Sequence, residues 1–156
     1  MKTIQFEPNK KTFNIALVTG KFNSEITERL YHGAIERLLE LEFKNEQITS
    51  VWVPGAIEIS LTAQKLAKTG NFRAIICLGA VIRGDTSHFD YVCQQITQGC
   101  LDVSLNYEIP VIFGILTTEN EEQAFERTGG AYGHKGIECV DTAIEMVSVL
   151  EQIEKL

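Results

Sequence analysis

The sequence predicts an α/β fold of the doubly wound class, a parallel sheet with helices on both faces. Two patterns carry that prediction. Four short apolar runs are continuous, as strands buried on both faces must be. Between them lie longer segments with apolar residues every three to four positions, the period of helices that return the chain to the same edge of a sheet.

Taken in chain order, the leading segment sets Ile4 and Phe6 among polar residues ahead of Pro8. That alternation suits an edge strand with no helix to tie it down, available for pairing with another subunit. The first apolar run is Ile15 to Val18, followed by a helical stripe of Ile26, Leu30, Ala34, Leu38 and Leu41. Val51 to Val53 is the second run. Ala74 to Leu78, continued by Ala80 to Ile82, is the third, and Phe89, Val92, Cys93, Ile96, Gly99 and Val103 stripe the helix after it. Val111 to Phe113 with Ile115 and Leu116 form the fourth. The glycine-rich stretch 129–136 reads as a loop between two helices, the last running from about Ile137 to Ile153.

Chain length and composition agree with one domain over 1–156, of which 1–13 form an N-terminal arm. A chain of 156 residues can bury roughly 70% of its unfolded surface. At 44% hydrophobic and 22% charged it lies far from disordered composition. The net charge of −7 argues against nucleic acid as a partner, since that affinity rests on Lys and Arg releasing counterions. The first thirteen residues lack the apolar centre of a signal peptide and no apolar stretch reaches the ~18 residues of a membrane span, so a cytoplasmic location away from the membrane is expected. Cys77, Cys93, Cys100 and Cys139 show no metal-ligand spacing and read as small core residues; no metal is expected. Neither G-x-x-x-x-G-K-[ST] nor a strand-borne G-x-G-x-x-G occurs, so no nucleotide cofactor is indicated; G-x-S-x-G and H-E-x-x-H are absent too.

Ligands of open parallel sheets bind beyond the carboxyl ends of the strands. That rule selects 20–24, 54–58, 83–88 and 117–120. In the third, Gly84, Asp85, Thr86 and Ser87 lead into a helix whose first turn offers unpaired N–H groups to an anion. The same residues equally suit a plain helix cap, and the Asp85 carboxylate would repel a phosphate unless it points away. His88 follows at the helix N-terminus, where the dipole favours the neutral imidazole and proton exchange near neutral pH; an exposed or capping histidine is the alternative. His32, in a helical pattern, and His134, in the glycine-rich stretch, have no evident partner. Phe22 either seals its loop or offers a flat face to a ring. Glu58 either bonds sugar hydroxyls or sits in a first helical turn stabilised by the dipole. Arg127 ends a helical stretch from Glu121, where a cation is favoured, and its fork also suits a phosphate.

Together, Phe22-Asn23, V-P-G-A-I-E over 53–58, G-A-V-I-R-G-D-T-S-H-F-D-Y-V over 79–92, F-G-I-L-T-T-E-N over 113–120 and Glu126-Arg127 resemble the successive motifs of the lumazine synthases across nearly the whole chain. The resemblance implies a flavodoxin-like three-layer fold around a four-stranded parallel sheet. It implies condensation of 5-amino-6-ribitylamino-uracil with 3,4-dihydroxy-2-butanone 4-phosphate in riboflavin biosynthesis, without cofactor. It implies, further, a homo-oligomer, a pentamer or an icosahedral shell of sixty, with active sites shared between subunits and riboflavin synthase as a candidate partner. Residue by residue, Phe22 would stack on the pyrimidine beside Asn23; Ala56, Ile57 and Glu58 would hold the ribityl chain; Ala80, Val81 and Ile82 would line the pyrimidine site. Gly84, Asp85 and Thr86 would meet the phosphate, His88 would shuttle protons, and Phe113, Arg127 and Lys135 would come from the neighbouring subunit. Ile57 stands where many members carry an aromatic residue. Two rivals share the fold class: an archaeal-type riboflavin synthase, and a flavin-binding module without catalysis.

Overall fold

The computed structural model describes residues 1–8 and 11–156. Four parallel strands, β1 (Ile15–Gly20), β2 (Ile48–Val53), β3 (Ala74–Ile82) and β4 (Val111–Thr118), form one sheet in the order β2-β1-β3-β4. Helices α1 (Ser24–Glu40), α2 (Ile59–Lys68), α3 (His88–Tyr107), α4 (Glu121–Phe125) and α5 (Lys135–Ile153) alternate with them. Each of the four expected apolar runs lies inside one of these strands, and each expected stripe on a helix, except that Leu41 falls at the cap just past α1.

Continuous apolar strands are explained by what lies on either face. Ile15 and Leu17 of β1 with Ala74, Ile76, Leu78 and Ala80 of β3 pack toward Leu30, Leu38 and Val140, on α1 and α5. Ala16 and Val18 with Ile75, Cys77 and Val81 pack the other way, toward Ile59, Ile96 and Val103, on α2 and α3. Two cores, one on each side of the sheet, bury both faces of β1 and of most of β3, while Thr49 and Ser50 of the edge strand β2 stay exposed, the three-layer arrangement. Cys77, Cys100 and Cys139 are buried in these cores; Cys93 is partly exposed.

Two expectations are corrected. The stretch expected to be a loop holds a small antiparallel hairpin, β5 (Thr128–Gly130) and β6 (Gly133–His134). Glycines with positive φ at 129 and 133 make its tight reversal possible, since only glycine enters that region without steric cost. Among the described residues the leading segment with Ile4 and Phe6 pairs with no strand. It lies instead against the end of α5, where the Glu7 N–H donates to Ser148 Oγ at 3.3 Å and Gln152 Nε2 donates to the Gln5 carbonyl at 2.7 Å. Among the described residues no helix is long and apolar enough to cross a membrane.

Candidate active site

The sheet order reverses direction at β1, which sends the chain to β2 on one side and has β3 on the other. A cleft of about 510 Å³ opens at this point, beyond the carboxyl ends of the strands, where open α/β sheets bind ligands. Backbone bonds shape its floor. The Lys21 N–H donates to the Val53 carbonyl at 2.8 Å and that of Phe22 to the Pro54 carbonyl at 3.1 Å, so the β1–β2 ladder runs on into both loops. The two loops approach so closely that a Cβ on Gly20 would lie 3.1 Å from the Gly55 carbonyl carbon.

Phe22 stands at the rim, 71% exposed, its ring face open. Asn23 beside it has φ 60° and ψ 49°, left-handed, and its side-chain amide donates to the Ala80 carbonyl at 2.9 Å. Pro54, Gly55, Ala56, Ile57 and Glu58 form the opposite wall, with 56–58 wound into a single 3₁₀ turn before α2. Ala80, Val81 and Ile82 line the base. Gly84, Thr86 and His88 close the third side, with Phe89 and Val92 from α3.

The 83–88 loop bears on the choice between cap and anion site. Ser87 occupies the cap position of α3 without a side-chain capping bond. The Thr86 hydroxyl accepts the His88 N–H at 3.3 Å. A Cβ on Gly84 would meet nothing within 4 Å, so its backbone is open to a ligand. The His88 imidazole makes no hydrogen bond to protein among the described residues and lies in the cleft wall. Arg83 precedes the loop, its pKa raised by Asp90 and then by Glu119, which hold the guanidinium in its charged form.

Four expected site residues do not line this cleft. Asp85 is exposed beside it. Phe113 pairs with Cys77 within the sheet and packs on the α3 side, five residues short of the edge at Thr118, about 16 Å along a strand. Arg127 donates from Nη1 to the Gln123 carbonyl at 2.8 Å and stacks over Tyr132 at 4.6 Å. The Lys135 N–H donates to the Arg127 carbonyl at 2.8 Å, joining the two backbones beside the hairpin, and neither side chain lines the cleft. The fourth strand-end segment, 117–120, also stays out. Thr118 donates to the Asn120 carbonyl at 2.8 Å and the Asn120 side chain accepts the Gln123 N–H at 2.9 Å, capping α4.

Phe89 and Val92 are the cleft residues that the sequence reading assigned only to a helical stripe. Their place one and four positions after His88, on the turn that begins α3, was the available signal. Neither His32 nor His134 belongs to the cleft: His32 packs edge-on against Tyr31, and the His134 ring occupies the space where Gly33 of α1 lacks a side chain.

A doubly wound α/β sheet with a ring platform, a carboxylate, an open loop backbone and an imidazole around one switch-point cleft defines a small-molecule site built from loops. Residues 12–151 match the family described as 6,7-dimethyl-8-ribityllumazine synthase. Curated proteins of that name from Coxiella burnetii strains Dugway 5J108-111 and CbuG_Q212 are each 50% identical over 145 residues, covering 93% of this chain and 96% of theirs. The chain belongs to the 6,7-dimethyl-8-ribityllumazine synthase family.

Proposed function

We propose that this chain condenses 5-amino-6-ribitylamino-uracil with 3,4-dihydroxy-2-butanone 4-phosphate to give 6,7-dimethyl-8-ribityllumazine, phosphate and water, in riboflavin biosynthesis. The observation that carries the reading is the convergence on one cleft of Phe22, the 56–58 turn, the 80–82 strand end, the Gly84–Thr86 backbone and His88, within a chain of this family.

In this reading the pyrimidine stacks on Phe22 near Asn23 and rests against Ala80, Val81 and Ile82, while Ala56, Ile57 and Glu58 take the ribityl chain. The phosphate lies on Gly84 and Thr86. Asp85 is exposed and does not line the cleft, and in this reading its carboxylate faces solvent while its backbone meets the phosphate. The primary amine of the uracil attacks the ketone and water leaves as the imine forms. Phosphate is then eliminated, and the ribityl-bearing amine closes the ring with loss of a second water. No protein nucleophile or cofactor is needed. Holding two reactants in register can supply up to about 7 to 11 kcal/mol, and His88, moving protons between these steps, adds roughly 10²- to 10⁴-fold.

The working form in this reading is a cytoplasmic homo-oligomer, at least a pentamer and in full a shell of sixty, with riboflavin synthase as a candidate partner. Support comes from the residues left out of the cleft. Phe113, Arg127 and Lys135 do not line the cleft of their own chain and in this reading serve a neighbour's. The leading arm has no strand partner among the described residues of its own chain and, exchanging its contacts with α5, would pair with a neighbouring sheet edge. Repeated heterologous contacts of that kind close into rings.

Both substrates together should yield lumazine absorbance and phosphate in equal amounts. Riboflavin fluorescence from lumazine alone would identify the archaeal-type activity instead, and a tightly held flavin with no turnover would identify a binding module. Light scattering separates shell, pentamer and monomer; an active monomer overturns the shared site.

A further inference from the structure

The loop that would take the phosphate has no anchor of its own. Between Arg83 and His88 every residue is exposed, and among the described residues no side chain from outside the loop hydrogen-bonds to it. Its internal bonds are the Thr86 hydroxyl on the His88 N–H and the Ser87 carbonyl on the Asp90 N–H, both local. An exposed glycine-containing loop so held would sample many conformations, and a ligand would then have to order it on binding.

Arg83 spans it. Its N–H donates to the Thr118 carbonyl at 2.9 Å, carrying the β3–β4 ladder one residue past the strand. From that fixed point the guanidinium reaches across the loop to the first turn of α3, where Nη1 and Nη2 donate to the two Asp90 carboxylate oxygens at 3.3 and 3.2 Å. Nε donates to Glu119 Oε2 at 2.7 Å, and the guanidinium carbon stands 4.3 Å from the centre of the Phe89 ring. One planar group thus joins the end of β4, the start of α3 and the residue next to His88. A lone exposed ion pair contributes little, but a two-pronged Arg–carboxylate contact within a network is the favourable exception. Lysine has the charge without the planar fork.

We propose that Arg83 is a positioning residue of the proposed reaction: with Asp90 and Glu119 it clasps the two ends of the 84–87 loop, presetting the Gly84 and Thr86 backbone for the phosphate of the keto-phosphate substrate. Arg83 itself is not in the cleft wall and touches no reacting atom. Its charge is already matched by two carboxylates, so it acts through geometry and not as a cation for the phosphate. The inference rests on the function proposed above.

The test compares wild type, Arg83→Gln and Arg83→Lys by KM for each substrate, kcat and thermal midpoint. Expected is a rise of about tenfold in KM for the keto-phosphate in both variants, the usual order for coupling between contacting charged residues, with KM for the ribitylaminouracil little changed. Asp90→Asn, which leaves Arg83 intact, should show the same split to a smaller degree, and carries the test alone if the Arg83 variants do not fold. Full activity of Arg83→Lys would reduce the role to charge and overturn the clasp. So would equal weakening of both substrates, or an unchanged keto-phosphate KM in Arg83→Gln. A wild type that makes no lumazine overturns the function itself, an outcome distinct from these.

Discussion

Asn23 and Ala80 are joined by a 2.9 Å hydrogen bond from side-chain amide to backbone carbonyl, tying the turn after β1 to the end of β3 across the mouth of the cleft. Asn23 holds the left-handed backbone that asparagine enters more readily than most residues. Replacing it with alanine removes about 1 kcal/mol of hydrogen bonding and adds roughly 1 to 2 kcal/mol of backbone strain. Asn23→Gly loses the bond but keeps the conformation. The thermal midpoint, read at one protein concentration because assembly also shifts it, should fall further for alanine than for glycine. Equal falls would show that backbone strain plays no part.

His88→Ala should slow turnover by roughly 10²- to 10⁴-fold and leave measurable product, since the substrate amine and the phosphate leaving group carry the bond changes and the side chain only moves protons. Steady-state kinetics at saturating concentrations of both substrates decide this. An unchanged kcat, or complete loss in a folded protein, would count against the proton-shuttle role.

Arg127→Ala should raise KM for the keto-phosphate far more than that for the ribitylaminouracil, by about 1.5 to 3 kcal/mol in binding, the range for a charged hydrogen-bond partner. Because Arg127 lies outside the cleft of its own chain, a second outcome follows. Arg127→Ala and His88→Ala chains, each impaired alone, should on being unfolded and reassembled together regain wild-type turnover in about a quarter of sites, where one variant's His88 meets the other's Arg127 across a head-to-tail interface. No recovery from well-assembled mixtures would refute sharing.

Cys139 gives a pH prediction. Burial pushes its thiol up from the ordinary 9.0 to about 11, so the folded protein holds the neutral form where the unfolded chain would ionise. The stabilising contribution is complete below 9.0 and is lost as pH rises through about 11. Thermal midpoints across that window should fall more steeply for the native protein than for Cys139→Ala, and parallel curves would contradict the assignment. A thiol reagent near neutral pH should label partly exposed Cys93 and leave Cys139 untouched until the chain unfolds, because the thiolate is the reactive form.

Amino-acid order alone was enough to determine the strands, the principal helices and most of the cleft wall. Apolar period is a local property, and in a parallel sheet the loops after β1, β2 and β3 must lie at one edge whatever the details. Three matters were decided only by the tertiary structure. The 117–120 segment satisfies the same rule yet stays outside the cleft, because β4 lies beyond β3 from the switch point, about 4.8 Å further across the sheet, and its polar groups are used in capping α4. Arg127 and Lys135 are eight positions apart in sequence, and the backbone bond that joins them beside the hairpin, outside the cleft lining, closes a stretch that looked like a plain loop. Arg83 was legible as a member of a loop but not as its clasp, since Asp90 and Glu119 meet it from two elements whose separation no local pattern encodes. Local spacing records which face of an element is apolar, whereas long-range polar contacts depend on where whole elements come to rest against one another.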